Sequence, residues 1–212
     1  KVEFMAIIKA MLETKILPDF ITIDGSEGGT GAAPVEFSNR LGTPCIEATY
    51  YINQVLVGAG LRDQIRLISA GQTASGFDML EKIALGADTV NAARSMMIAL
   101  GCVQAKACNT NECPTGIATQ NPARARAIDL KEKSERVKHF QRTTGHAFIE
   151  LCGAMGFSNP SDLSPSDIIS RFEGRATNFD QMFEPLIENQ LHSDNIPNSY
   201  RDDWHKASAE YF

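Results

Sequence analysis

The sequence predicts an α/β fold in which helices alternate with the strands of a small parallel sheet. Three short apolar runs are typical of buried strands: Phe20–Asp24 (FITID), Arg66–Ala70 (RLISA) and residues 89–92 (TVNA). Each run is followed by glycine or other small residues and then by a segment with helical periodicity, an order typical of βαβ units. Three strands cannot close a barrel, so the predicted architecture is partial.

Helices are predicted before, between and after these strands in the sequence. A first amphipathic helix is expected near the amino terminus, where apolar residues recur at the i, i+3, i+4, i+7 and i+8 positions. These residues are Phe4, Ile7, Ile8, Met11 and Leu12. Further helical patterns cover residues 48–59, 77–85 and 95–100. The chain starts inside the first helical pattern and lacks the layout of a signal peptide, so we expect a fragment of a larger protein.

The second half of the chain is predicted to be mainly helical. One long helix is expected from about residue 131 to about residue 155, with Gly145 as a weak point. Residues 164–167 (SPSD) are of the types found in a helix cap and first turn, which predicts a helix over residues 168–172. Residues 189–212 are expected to form an extended polar tail with one short helix around Trp204.

Composition and charge exclude several classes of protein. Apolar residues make up 43% of the chain and charged residues 22%, the balance of an ordinary globular protein. The net charge of −6 argues against a nucleic-acid partner, because such binding depends on Lys and Arg neutralising phosphates. No apolar run approaches the roughly 20 residues that span a bilayer, so we expect no transmembrane helix and no membrane partner.

The densest glycine run, residues 25–31 (GSEGGTG), follows the first predicted strand. It lacks the lysine of a phosphate-binding P-loop and contains no G-x-G-x-x-G dinucleotide motif. Two interpretations stay open. The run is either a mobile loop between strand and helix, or a backbone that must approach a flat or phosphorylated ligand closely, which glycine permits.

The five cysteines fall into two groups. Cys45 and Cys152 stand alone, and each is interpreted as a small, buried apolar side chain. Cys102, Cys108 and Cys113 lie in one loop with no histidine nearby to complete a zinc site, so they indicate an iron–sulfur cluster. A loop of redox-active thiols is the alternative. An odd number of cysteines without a signal sequence indicates reduced thiols and a cytoplasmic protein.

Two sets of motifs carry a family resemblance. The segments at residues 69–71, 76–78 and 93–94 resemble the last two βα units of flavin-dependent (β/α)8 barrels, where backbone amides hold a phosphate. Ser-Ala-Gly replaces the usual Asp-Gly-Gly at 69–71, and Ala-Arg replaces Gly-Arg at 93–94. The second set resembles the FMN-binding synthase domain of glutamate synthase. Its segments are ITIDGSEGGTGAAP, VGAGLRD, GFDMLEKIALGAD, ARSMMIALGC and CVQAKACNTNECPTGIATQ.

This resemblance implies a fold and two cofactors. Residues 1–145 would form about strands 6–8 of a (β/α)8 TIM barrel, followed by a helical extension and polar tail over residues 146–212. The stretch HAFIELCGAMGFSNPSDLSPSDII is more similar to stand-alone glutamate-synthase-like proteins without an amidotransferase domain. The implied cofactors are FMN and a 3Fe–4S cluster, the cluster held by Cys102, Cys108 and Cys113.

The resemblance also implies an activity. Members of the family form L-glutamate from 2-oxoglutarate and ammonia by reducing 2-iminoglutarate. The electrons come from a donor protein or subunit. The resemblance therefore implies an oxidoreductase acting on CH–NH2 donors. The implied phosphate anchors are Gly71, Ala93 and Arg94. The residues implied to line the flavin and substrate are Gly25, Glu27, Gly28, Gly29, Thr30 and Gly31. No catalytic residue is identified.

Two other functions stay open on the sequence. One is a non-catalytic barrel fragment that assembles with another chain. The other is a flavin-dependent barrel oxidoreductase of the dihydroorotate or glycolate type, although such an enzyme does not require the cysteine triplet. Because the outer strands of a three-stranded sheet have unpaired edges, we also expect a homo-oligomer or another segment that covers at least one edge.

Overall fold

Three parallel strands form the sheet in the first half of the molecule. In the computed structural model, which describes residues 1–28, 33–34, 36–172, 175–182 and 184–211, they are β1 (Phe20–Asp24), β2 (Arg66–Ala70) and β3 (Thr89–Asn91). Their order is β1-β2-β3. The predicted parallel α/β arrangement is confirmed, with β3 one residue shorter than expected, and it is compatible with part of a barrel.

Helices connect and flank these strands. They are α1 (Val2–Thr14), α2 (Cys45–Gly58), α3 (Gly76–Ala84), α4 (Arg94–Leu100), α5 (Pro122–Ala125), α6 (Leu130–Ala154), α7 (Phe179–Met182) and α8 (Asn198–Lys206). A separate antiparallel hairpin consists of β4 (Ile169–Phe172) and β5 (Arg175–Asn178). None of the helices in the described ranges is both long and apolar enough to cross a membrane.

The first hydrophobic core lies between α1, α2 and the strands β1 and β2. α1 buries Met5 and Ile8, whereas Ile7 is 40% exposed, so the helix is rotated from the predicted stripe. α2 begins at Cys45, directly after Pro44 and earlier than expected. Proline suits this boundary because its fixed φ is compatible with the start of a helix and it needs no amide acceptor.

The carboxyl-terminal segment completes this first core. Residues 189–211 are polar in composition, yet five of their apolar side chains pack into the core with α1 and α2, so this segment is not an extended tail. The buried ones are Leu191, Ile196, Tyr200, Trp204 and Ala207. The ring of Tyr200 stacks on that of Tyr51 with 5.6 Å between centroids, and Lys9 Nζ donates to the Ala207 carbonyl over 2.8 Å. The expected short helix around Trp204 is confirmed as α8.

The second core joins α3 to α6 and to the segment around the hairpin. α3 starts with a capping box, in which Ser75 Oγ accepts from the Asp78 amide (3.2 Å) and Asp78 Oδ2 accepts from the Ser75 amide (2.8 Å). The buried hydrophobic residues of this core are Tyr50 of α2 together with Leu80, Ala84, Leu85, Phe148, Cys152, Leu163, Ile168 and Phe179. α6 continues through Gly145, so the expected weak point does not interrupt the helix.

The helix predicted over residues 168–172 is wrong. The capping box of Ser164 and Asp167 is present, but it closes only a single 3-10 turn at Pro165–Asp167. The chain then extends as β4, with Ile169 paired opposite Asn178 of β5. Two successive β-branched residues, Ile168 and Ile169, favour an extended backbone, and pairing with a later segment overrides the local helix signal.

Asp88 joins β2 to the turn that precedes β3. Its carboxylate accepts from the Leu67 amide (2.8 Å) and forms ion pairs with Arg62 (2.9 Å) and Arg66 (3.1 Å). Burial alone would raise the pKa of Asp88, but the Leu67 amide and the two guanidinium groups outweigh it and lower the pKa below 3.8. The ionised form is therefore favoured in the folded state.

We expect Asp88→Asn to destabilise the protein at neutral pH, by about 1 kcal/mol for the lost charged hydrogen bonds. Because the folded-state pKa is lowered, the wild-type advantage is fully present above the unfolded-state pKa and disappears as the pH falls through the folded-state value. Urea unfolding at pH 7 and at pH 3 measures this directly. Asp63→Asn, at an exposed aspartate of the neighbouring turn, is the control. A difference in unfolding free energy that is equal at both pH values would contradict the prediction.

Candidate functional site

The loops after β1, β2 and β3 lie at one edge of the parallel sheet. β1 and β2 end in register, with Asp24 opposite Ala70, and the Gly25 amide donates to the Ala70 carbonyl over 3.2 Å. Ala70 is also opposite Asn91, the last residue of β3. The predicted site residues in these loops are Gly25, Glu27, Gly28, Gly71, Ala93 and Arg94. Gly29, Thr30 and Gly31 lie outside the described residues.

Glu27 turns back toward α2. Its two carboxylate oxygens lie 3.1 and 2.9 Å from the backbone nitrogen of Cys45, the first residue of that helix, and accept its amide hydrogen. The first amides of a helix lack acceptors within the helix, and a carboxylate there also faces the positive end of the helix dipole. Glu27 therefore caps α2 from an earlier loop.

Gly25 and Gly71 permit this approach because they have no side chain. A Cβ on Gly25 would lie 2.5 Å from the Cα of Cys45, and one on Gly71 would lie 2.9 Å from the Cβ of Cys45. Both distances are shorter than real Cβ contacts. The close approach that these two glycines allow in the structure is thus to the start of α2, and their approach to a ligand stays a prediction.

A buried chain of small polar side chains lies beneath these loops. Thr49 Oγ1 lies 2.8 Å from Ser69 Oγ, and Ser69 Oγ lies 3.2 Å from Cys45 Sγ. All three residues are at most 2% exposed, which confirms that Cys45 is buried. No motif in the sequence groups these three residues. The signal was the spacing of Cys45 and Thr49, since residues four apart share one face of a helix.

Arg94 begins α4, and both it and Ala93 are exposed at the end of β3. The next residue, Ser95, is buried and donates its hydroxyl to the Thr73 carbonyl over 2.7 Å. This bond joins the loop after β2 to the start of α4. The two predicted phosphate-binding segments are therefore linked to each other by a buried hydrogen bond.

Two open grooves lie along α6, away from the strand ends. One is lined by Leu100, Ile128, Leu130 and Val137 with Lys133 and Lys138, and the other by Arg136, His139 and Phe140 with their neighbours. None of the predicted site residues lines either groove. A ligand site at the sheet edge therefore stays a prediction that rests on the strand-end loops and not on these two grooves.

The three cysteines of the predicted cluster lie between α4 and α5. Cys102 and Cys108 are partly exposed and Cys113 is buried, and all are free thiols. Within the described ranges, no group of three or more His, Cys, Asp or Glu side chains is close enough together to hold a metal ion. The three thiols have the donor chemistry of a cluster loop but do not surround one point. Their role as ligands stays a prediction.

The Cys113 thiol has an environment that favours ionisation. The Thr115 hydroxyl, 3.4 Å from Sγ, and the backbone amides of Ala118, Thr115 and Ile117 stabilise the thiolate and lower the pKa of Cys113 to about 7. The thiolate is the form that binds metals and reacts with oxidants. This environment therefore suits a cluster ligand and also suits the alternative of a redox-active thiol.

Comparison with known proteins links these loops to a family. The conserved region in glutamate synthase matches residues 3–158 of the chain, which include all the predicted site residues. The chain is 37% identical over 171 residues to the glutamate synthase large subunit-like protein YerD of Bacillus subtilis, covering 80% of this chain and 33% of that protein.

Other relatives carry related names. The chain is 38% identical over 145 residues to the archaeal glutamate synthase (NADPH) of Methanocaldococcus jannaschii, covering 68% of this chain and 28% of that protein. It is 41% identical over 102 residues to ferredoxin-dependent glutamate synthase 1, chloroplastic/mitochondrial, of Arabidopsis thaliana, covering 48% of this chain and 6% of that protein. The chain thus spans a third or less of the length of these relatives.

Proposed function

The chain belongs to the glutamate synthase family, and on this premise we propose that it is the flavin-binding part of a glutamate synthase-like oxidoreductase. The proposed reaction forms L-glutamate from 2-oxoglutarate and ammonia by two-electron reduction of 2-iminoglutarate. The observation that carries the proposal is the family match over residues 3–158, which spans the strand-end loops and the cysteine loop. The glutamate synthase family generally uses flavin and iron–sulfur cofactors.

The three parallel strands would correspond to about strands 6–8 of a (β/α)8 barrel. Ligands of such barrels bind at the carboxyl ends of the strands, where the loops after β1, β2 and β3 lie. The hairpin and α8 would belong to the extension that follows the barrel. Small-molecule substrates, 2-oxoglutarate and glutamate, would then enter at the same edge as the cofactor.

FMN, when bound, supplies the two-electron chemistry of the reaction. Its phosphate would be held by the backbone of Gly71 and Ala93 and by the guanidinium of Arg94. The residues fit this role because Ala93 and Arg94 are exposed at the end of β3, and a guanidinium matches the geometry of a phosphate. The Ser95–Thr73 hydrogen bond would keep the two anchoring segments at a constant separation.

The glycine loop would lie along the flavin and substrate side. Of its six proposed lining residues, Gly25, Glu27 and Gly28 are described, and Gly28 donates its amide to the Gly25 carbonyl over 3.0 Å in a tight turn. A Cβ on Gly28 would come within 2.9 Å of Asp24 Oδ1. The start of this loop is therefore a compact backbone segment with little room for a side chain at Gly28.

A 3Fe–4S cluster would be held by Cys102, Cys108 and Cys113. These residues fit the cluster in donor type, since soft thiolates are its usual ligands, but not in arrangement among the described residues. An electron-donor protein or subunit would supply the electrons. We also propose that the protein is a homo-oligomer, since β1 and β3 each have one strand neighbour in the described sheet. We propose a cytoplasmic location on the separate ground that the cysteines are free thiols.

The test of the proposed function is cofactor content together with product formation. Protein purified anaerobically should show flavin absorption, or gain it after FMN is added and excess FMN is removed. With a chemical reductant, it should form glutamate from 2-oxoglutarate and ammonium. A protein that retains no FMN under these conditions would overturn the proposal and favour a non-catalytic barrel part.

Arg94→Ala should weaken FMN binding about 10- to 100-fold, the effect of losing a hydrogen bond between charged groups. We expect the melting temperature of the cofactor-free protein to change much less than the FMN affinity, because Arg94 is exposed. Titration of the protein with FMN, followed by quenching of flavin fluorescence, measures the affinity. Arg142→Ala, at an exposed arginine of α6, is the matched control. If Arg94→Ala lowers stability while FMN affinity is unchanged, Arg94 is a structural residue.

A further inference from the structure

Glu27 is the one acidic side chain of the glycine run at residues 25–31, and its carboxylate binds the start of α2. Both of its carboxylate oxygens lie within 3.1 Å of the Cys45 nitrogen. The backbone of the preceding residue also joins this loop to the segment before α2, since the Ser26 amide donates to the Thr43 carbonyl over 2.9 Å. The loop is therefore held at two successive residues to the segment that enters α2.

The start of α2 depends on this carboxylate. Pro44, which precedes the helix, has no side-chain oxygen to accept an amide hydrogen, and no side-chain cap comes from it. A helix without a local cap leaves its first amides unsatisfied unless another group reaches them. Glu27 supplies that acceptor from a different part of the chain.

The contact also fixes the strand-end glycines in space. Gly25 and Gly71 both lie against Cys45, and Cys45 in turn contacts Ser69 at the end of β2 over 3.2 Å. Glu27, Cys45 and Ser69 thus connect the ends of β1 and β2 through the first turn of α2. Gly28 follows Glu27 directly, so the direction in which the glycine loop leaves the sheet is set at this contact.

We propose that Glu27 is a positioning residue: its carboxylate holds residues 25–28 against the first turn of α2 and thereby fixes the described start of the glycine loop, whose backbone would face FMN. This inference deepens the proposed function and rests on it for the identity of the ligand. The contact of Glu27 with Cys45 does not depend on FMN. The two statements are therefore tested by separate measurements.

The experiment compares Glu27→Ala with Glu27→Gln in the same chain. Glutamine keeps a side-chain oxygen that accepts the Cys45 amide hydrogen, whereas alanine removes it. Hydrogen–deuterium exchange at the start of α2 reports the contact without any cofactor, and FMN titration reports the ligand side. Glu47→Ala is the matched control, since Glu47 is an exposed acid in the first turn of the same helix.

We expect Glu27→Ala to speed exchange of the Cys45 amide and to weaken FMN binding, each by about 5- to 10-fold, the effect of losing a helix cap. Glu47→Ala should stay within about twofold of wild type in both measurements, and Glu27→Gln, which keeps the acceptor oxygen, should lie closer to wild type than Glu27→Ala in both. Loss of FMN affinity in Glu27→Gln with a protected Cys45 amide would mean direct ligand contact and would overturn the proposal. Unchanged exchange in Glu27→Ala would also overturn it. Absence of FMN binding in wild type would reject the proposed function, and exchange would still decide whether Glu27 holds the loop.

Discussion

Replacing Cys108 by serine is expected to abolish iron binding by the anaerobically purified protein. A three-iron cluster with one thiolate per iron loses a ligand that serine does not replace, because soft sulfur ligands are what such clusters require. Ligation energy also orders the segment that supplies the ligands, so the loop between α4 and α5 should exchange its amide hydrogens faster in the variant. Iron content and hydrogen exchange measure these two effects independently.

Cys152→Ala is the control for this experiment. Cys152 is 3% exposed in the second core, within α6 and outside the cysteine loop. We expect this variant to keep its iron. Its free energy of unfolding should fall only by the contribution of one small buried side chain. Iron at the wild-type level in Cys108→Ser would show that the cluster assignment is wrong. A wild-type protein without iron, whose loop thiols form a reversible disulfide, would support the redox-active thiol loop instead.

Trp204→Ala is expected to destabilise the folded protein by about 3–5 kcal/mol, the usual cost of emptying a large aromatic site. The indole is 8% exposed, the ammonium of Lys9 lies 4.9 Å from the centre of its ring, and His192 meets its edge. The substitution removes apolar contacts and the cation–π interaction together. Chemical denaturation followed by circular dichroism gives the change in unfolding free energy.

Tyr211→Ala provides the comparison within the same segment. Tyr211 is 70% exposed, so its truncation should change the unfolding free energy by less than about 0.5 kcal/mol. Equal, small effects of the two substitutions would mean that residues 189–211 do not pack as the structure shows. A large effect confined to Trp204 would identify the segment as part of the first core.

Local patterns were sufficient to predict the sheet. β1 and β2 have the predicted bounds, and α3 begins within one residue of its predicted start, because a strand followed by glycine and a capped helix is encoded within about 20 residues. The hairpin was not predicted, since the pairing of Ile169 with Asn178 depends on a partner that no local pattern at 164–168 contains. The burial of Trp204 was missed for a related reason. Its apolar neighbours are spread singly among polar residues, and their partners lie in α1 and α2.

The candidate site was also only partly predictable from local sequence patterns. The residues after each strand were proposed as site residues because the carboxyl ends of parallel strands share one edge, and their role in binding a ligand stays a prediction. The roles of Gly25 and Gly71 were only partly predictable: their need for close approach follows from composition, but the group that approaches both is Cys45, the first residue of α2. The contact between Cys45 and Ser69 requires α2 to pack over β2, which the sequence does not specify residue by residue. The cysteine spacing identified candidate ligands without showing whether they meet.

The packing of the last helix against the first has a consequence for how the protein is made. Lys9 and Ala207 are 198 positions apart, and the hydrogen bond between them closes the same core that buries Met5 and Ile8. At a translation rate of about 5–20 residues per second, α8 is synthesised about 10–40 s after α1. The apolar face of α1 lacks its contacts with α8 during that time. During that interval the nascent chain presents an unfinished apolar surface. Holdase chaperones and early-acting proteases are therefore expected to compete with folding for α1 until translation of α8 is complete.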